Sequence, residues 1–277
     1  MSDSTGAQVA AGSAAFRGAV RTRANLVALG TIARREIHRV LRIWTQTLVP
    51  PAITMTLYFV IFGKVIGSRI GVIEGGFTYM QYIVPGLVMM SIINNCYSNI
   101  TSSFFGSKFG RYVEELLASP MPSWVVLTGY VAGAVMRGVL VGIIVLGIAL
   151  FFTSLHVAHP LVAFTTVILG AAIFALAGFI NAIFAKRFDD IAIVPTFVLA
   201  PLTYLGGVFY SVNMLGSPWR EASLANPILY MVNAFRFGIL GVSDVPIWIA
   251  YVVMLAFVIA LGAVALWLLH RGVGLRS

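Results

Sequence analysis

Six long apolar stretches, each able to cross a bilayer, occupy most of this 277-residue chain, and all but one or two of its acidic residues fall in the short polar joints between them. A hydrocarbon core about 30 Å thick requires roughly 20 mostly apolar residues per helix, and a chain that is 60% hydrophobic and 10% charged supplies several such helices. A soluble domain does not carry that load. The short alternating segments of an outer-membrane barrel are absent from the sequence, so the backbone must satisfy its own hydrogen bonds inside helices. The expected fold is an all-α integral membrane protein with six transmembrane helices.

Residues 1–25 are rich in Ala, Ser, Gly and Arg without an apolar core, and read as a mobile cytoplasmic tail with no cleavable signal. Residues 26–46 follow helical spacing. Ile37, Leu41, Trp44 and Leu48 share one face, and Arg35, Arg39, Arg42 and Gln46 another, as in a basic amphipathic helix lying along an anionic leaflet. The spans are expected at about 48–66, 82–105, 123–152, 161–184, 191–210 and 247–269. Pro50 and Pro51 open the first, and Pro195 and Pro201 kink the fifth. Residues 226–241 are apolar but only about 15 long and are interrupted by Arg236, which favours a re-entrant or interfacial segment.

The net charge of +9 sits beside apolar spans, where cations record orientation and do not imply nucleic acid. Six crossings with both termini inside place Arg17, Arg21, Arg23, Arg34, Arg35, Arg39, Arg42, Lys108, Arg111, Lys186, Arg187, Arg271 and Arg276 in the cytoplasm. Lys64, Arg69, Arg220 and Arg236 lie outside. A seventh crossing weakens this bias.

No phosphate-binding loop of the form GxxxxGK[ST] is present, so the chain is not its own P-loop ATPase. Glu74, Glu114, Glu115, Asp189, Asp190, Glu221 and Asp244 belong to joints or their edges, leaving no intramembrane carboxylate of the kind an ion-coupled carrier uses. Cys96 reads as a small packing residue, and His156 with His159 is too few ligands for a metal. Arg137 is the one charge well inside an apolar region. It either snorkels or pairs with another helix, or it contacts an anionic substrate. Asn94, Asn95, Tyr97 and Asn99, with Asn181 on the fourth span, form a polar set that either joins helices or lines a pathway. Gly129, Gly133, Gly138 and Gly142 give the third span two small-xxx-small pairs, suited to close helix approach within one chain or between two. In the joint KFGRYVEELLASPMP, residues 111–118 form a short helix with Glu114 and Glu115 beside Leu116 and Leu117, ended by Ser119-Pro120.

Five segments taken in order resemble the permease subunits of ABC type-2 exporters of bacterial inner membranes, over nearly the whole chain. They are the basic helix running into LVPPAITMTLYFVIFG, then YIVPGLVMM, YVEELLASPMP, FAKRFDDIAIVPTFVLAPLTYLGGVFY and ANPILYMVNAFRFGILG. The resemblance implies a transmembrane domain over 26–277 and a homodimer working with two separately encoded ATPase subunits, which bind the ATP and Mg. No cofactor belongs to this chain. It also implies a coupling helix carried by Arg111, Tyr112, Glu114, Glu115, Leu116 and Leu117. The interfacial helix with Ile37, Arg39, Leu41 and Trp44 is expected to touch the ATPase as well. An outer re-entrant pair over 219–241 holds Asn226, Pro227, Tyr230 and Arg236, with Arg236 near the outer surface. An ATP-independent carrier or channel is the alternative reading.

Overall fold

The computed structural model describes residues 3–73, 76–119 and 121–274, without the side chains of residues 3–21, Lys64, Leu117 and Ala118. Glu74, Pro120 and Arg276, and the side chains of Arg17, Arg21, Lys64 and Leu117, are outside this description. The described residues form helices and turns, with one isolated bridge between Val72 and Thr78 and no strand.

Helix α1 spans Asp3–Arg42 and α2 Trp44–Tyr58, followed by a π-helical stretch Phe59–Ile66 and the short α3, Gly67–Ile70. Next come α4 (Tyr79–Phe109), α5 (Tyr112–Ala118), α6 (Ser123–Ala149) and α7 (Pro160–Phe184). The fifth apolar stretch is broken into α8 (Asp190–Val194), a π-helical turn Pro195–Leu199 and α9 (Ala200–Tyr204). Then follow α10 (Trp219–Leu224), α11 (Pro227–Leu240) and α12 (Ile247–Arg271).

Among the described residues, four helical stretches are long and apolar enough to cross a membrane: 44–70, α6, α7 and α12. Helix α4, expected as a span, is 31 residues long but is not among them, because Asn94, Asn95 and Asn99 dilute its apolar character. It is instead the centre of the bundle, with Ile83, Leu87, Met89, Ile93, Cys96 and Ile100 fully buried. Its start is fixed by a capping box in which Thr78 Oγ1 accepts from the Gln81 amide and Gln81 Oε1 accepts from the Thr78 amide. Its end is tied to α7, since Lys108 Nζ donates to the carbonyls of Ile183 (2.6 Å) and Ala185 (2.9 Å) at the C-terminus of that helix. Burial, and after it the nearby Lys186, holds this ammonium below the ordinary lysine pKa.

Several boundaries differ from expectation. Helix α1 begins at Asp3, through the stretch read as a tail, whose alanines favour helix. The backbone breaks at Ile43, so Trp44 opens α2 and does not close the amphipathic helix. Pro50 and Pro51 therefore lie inside α2 and not at its first turn. Helix α6 stops at Ala149, three residues before the expected end. Pro195 stands at the first position of the π-helical turn, the interruption that its missing amide imposes on the fifth stretch.

Four of the five α6 glycines are spent inside the chain. A Cβ at Gly129 would stand 2.6 Å from Ile32 Cγ2, and one at Gly133 would overlap Glu36, both on α1. One at Gly138 would overlap Cys96 Sγ, and one at Gly142 would lie 2.8 Å from Ile92 Cδ1, both on α4. Gly138→Val is expected to cost about 1–3 kcal/mol by overpacking, read as a lower melting midpoint and a smaller monodisperse fraction in detergent. Gly147→Val, where nothing lies within 4 Å of the added atom, is expected to be silent.

Candidate functional site: a polar seam through the bundle

Along α4, Ser91, Asn95, Asn99, Ser103 and Ser107 recur at every fourth position, each beside the next, and so form one oblique polar row along the helix. This row is where α1 and α6 meet α4, and it gathers Arg35, Glu36, Arg39 and Arg137. Glu36 of α1 is only 1% exposed. Its Oε2 accepts from Ser103 Oγ (2.6 Å) and from the Arg39 guanidinium (3.1 Å), while Oε1 accepts from Arg35 (3.3 Å). Arg35 also donates to Tyr130 Oη of α6 at 2.7 Å, and that hydroxyl donates to Ser107.

Further along, Asn99 Oδ1 accepts from two cations, Arg39 at 2.8 Å and Arg137 at 3.4 Å. Arg137 also donates to Asn95 Oδ1 at 3.3 Å. The seam thus holds three guanidiniums against one carboxylate. Interhelix pairing, one of the expected roles of Arg137, is what the geometry contains. The carboxylates are not confined to joints: Glu36 escaped the sequence reading because it sits in a helix read for its apolar and basic faces. The signal was present in the fourfold polar spacing of α4 and in Ile32, Glu36 and Val40, which share the α1 face turned to the bundle.

The other expected residues separate into distinct places. Asn94 donates to the Met90 carbonyl of its own helix. Tyr97 is buried on α4 near Asn181 of α7, and neither the Tyr97 hydroxyl nor Asn181 Nδ2 has a hydrogen-bond partner among the described residues. On α1, Arg39 packs against the bundle, whereas Leu41 is exposed, as is Trp44 on α2, leaving an apolar face turned outward.

Helix α5 is held on by Val113, 3% exposed, and by Leu116, both packed in the cluster around Phe104 and Phe105. Glu114, Glu115 and Tyr112 remain exposed. Arg111 adopts a left-handed backbone (φ 60°) that turns the chain sharply between α4 and α5. Nearby, Asp190 accepts the backbone amides of Lys186 (2.8 Å) and Arg187 (2.9 Å), which hold its carboxyl below the ordinary value.

Asn226 caps α11, its Oδ1 accepting from the Ile228 amide, and Pro227 follows at the first helical position. Tyr230 Oη donates to the Leu224 carbonyl across the α10–α11 turn. Arg236 is wholly buried inside the protein. It donates to the Gly207 carbonyl at 2.7 Å and stands 3.9 Å from Asp244 Oδ2, satisfied inside the protein as a buried guanidinium must be.

The ABC-2 type transporter family model matches residues 27–240, which takes in α2 to α11 and the whole seam. The chain belongs to this family. It is 55% identical over 251 residues to the inner membrane transport permease YadH of Escherichia coli K12, covering 91% of this chain and 98% of that protein. It is also 25% identical over 191 residues to nodulation protein J of Rhizobium meliloti, covering 67% of this chain and 71% of that one. These likenesses bear on the membrane domain as a whole, whereas the roles of single side chains rest on the geometry above.

Proposed function

We propose that this ABC-2 family protein is the membrane permease of an ATP-driven exporter in a bacterial inner membrane. It works as a pair of copies with two separate ATPase subunits that bind the nucleotide and magnesium. In this reading the chain crosses six times with both termini inside, and α10 with α11 forms an outer re-entrant pair. The substrate is amphipathic, lipid-linked or drug-like. The strong likeness to a named inner membrane transport permease supports the compartment and the class.

The observation that carries the coupling role is α5. Its apolar residues anchor it to the bundle while Glu114 and Glu115 point away, so a force applied to the acidic edge reaches α4 directly. A nucleotide-driven change in the ATPase does work on the permease only if the two permease states bind it differently, and an anchored lever of this kind supplies that difference.

Purification from native membranes should bring an ATP-binding partner with the chain, and inverted vesicles should accumulate substrate only with ATP. Glu114→Ala/Glu115→Ala is expected to weaken ATPase association by roughly tenfold or more, since each truncation leaves a partner charge unanswered, with ATP-driven transport falling in step. Unchanged association would remove α5 from the coupling role. Transport that persists without any ATPase would replace the whole reading by an autonomous carrier. Against that carrier stands Glu36, the buried carboxylate it would need, whose two oxygens are already taken by Arg35, Arg39 and Ser103.

A further inference from the structure

At the end of the seam beyond Arg137, a cavity of about 290 Å³ opens between α2, α4 and α6. Its polar side carries donors with nothing to donate to. Thr47 Oγ1 and Ser91 Oγ belong to residues 0% and 2% exposed, and neither has a hydrogen-bond partner among the described residues, nor does Arg137 Nε. Buried hydroxyls in helices usually find a carbonyl one turn back, as Thr56 and Thr101 do here. No acidic side chain lines the cavity among the described residues. The carboxylate of the seam is engaged by Arg35, Arg39 and Ser103, so the Arg137 charge meets amide oxygens alone. Buried hydroxyl donors beside a half-buried guanidinium that no carboxylate answers form an incomplete arrangement.

The opposite wall is apolar, with Met55, Tyr58 and Met90. The mouth is bordered by Gln46, Pro50 and Thr54, the exposed fourfold row of α2, beside the exposed apolar Ile53 and Leu57 of the same membrane-length stretch. The volume lies at the lower limit of small-molecule sites, about 300 Å³, enough for a head group and not for a whole lipid.

We propose that this cavity binds the anionic oxygen group, phosphate or carboxylate, of an amphipathic molecule whose tail stays along α2. Arg137, Ser91 and Thr47 donate to the oxygens, and Asn95 and Asn99 hold the guanidinium in place. The proposal rests on the permease reading for its meaning, as the head-group site for the transported molecule, but its test does not need the ATPase.

The full chain in a non-ionic detergent is titrated with dodecyl phosphate, and bound molecules per chain are counted by native mass spectrometry. Dodecyltrimethylammonium and inorganic phosphate serve as competitors. One site is expected that the cationic amphiphile leaves occupied and that inorganic phosphate displaces only at far higher concentration. Arg137→Gln should weaken it roughly tenfold or more, the size of a lost charge-assisted hydrogen bond, and Arg137→Lys should restore part of the loss. Ser91→Ala and Thr47→Val, which fit the same space, should each weaken it severalfold and carry the test if Arg137→Gln does not fold.

Equal binding by wild type and these variants would overturn the site while leaving the ATPase-coupled permease intact. Equal affinity for inorganic phosphate would overturn the amphipathic ligand in favour of a soluble anion. Conversely, a chain that binds dodecyl phosphate as expected but recruits no ATPase would sink the permease reading and leave the site standing.

Discussion

Replacing Arg236 by alanine should cost about 3–5 kcal/mol of fold stability, because it strands a carboxylate in addition to deleting contacts. The guanidinium ties three parts of the chain together. It lies 4.0 Å over the Tyr82 ring of α4, donates to Gly207 in the segment after α9, and faces Asp244 in the link to α12. Asp244 would keep the Val212 amide at 3.0 Å and the Tyr82 hydroxyl at 3.3 Å, but no cation. Thermal unfolding in detergent measures the loss. Arg236→Ala/Asp244→Ala should unfold later than Arg236→Ala alone, since it removes both charges. A single variant within about 0.5 kcal/mol of wild type, the range of ordinary surface changes, would show that the pair contributes nothing.

Glu36→Ala should be comparably damaging, about 3–5 kcal/mol, and its effect should fall on α1. With the carboxylate gone, Arg35 and Arg39 lose their counter-charge and Ser103 its acceptor, while the guanidiniums remain crowded along α4 and α6. The expected readout is faster tryptic cleavage at Arg34, Arg35, Arg39 and Arg42, together with a lower melting midpoint. Arg39→Ala should be milder, because its side chain is about a third exposed and water can replace part of what it loses. Wild-type cleavage rates in Glu36→Ala would mean that α1 is held by apolar packing of Ile32 and Val40 alone.

The helical architecture was legible because apolar length and proline placement act locally. α6, α7 and α12 begin within a residue or so of where hydropathy places them, and the fifth stretch is interrupted at Pro195. What the sequence concealed depends on which residues meet across helices. Glu36 looks like one more charge on a solvated face until Gly133 lets α1 come close enough to turn it inward. The burial of Arg236 is hidden in the sequence because its partners, Asp244, Gly207 and Tyr82, are 8, 29 and 154 positions away. The polar set on α4 was half legible. Asn95 and Asn99 were visible, but their continuation into Ser91, Ser103 and Ser107 emerges only when the row is followed at intervals of four along the helix. The sequence leaves Arg137 open to snorkelling, pairing or ligand contact. Pairing is met through Asn95 and Asn99, whose amide oxygens leave its charge uncancelled.

The packing of α6 bears on self-association. Its ridge of Gly129, Gly133, Gly138 and Gly142 is the kind of surface on which two protomers commonly cross, yet every one of those notches is already filled by α1 or α4 of the same polypeptide. In the proposed pair of copies, a second protomer would therefore find its seat on other ground, and on α6 the vacant notch is Gly147, toward the end away from α5.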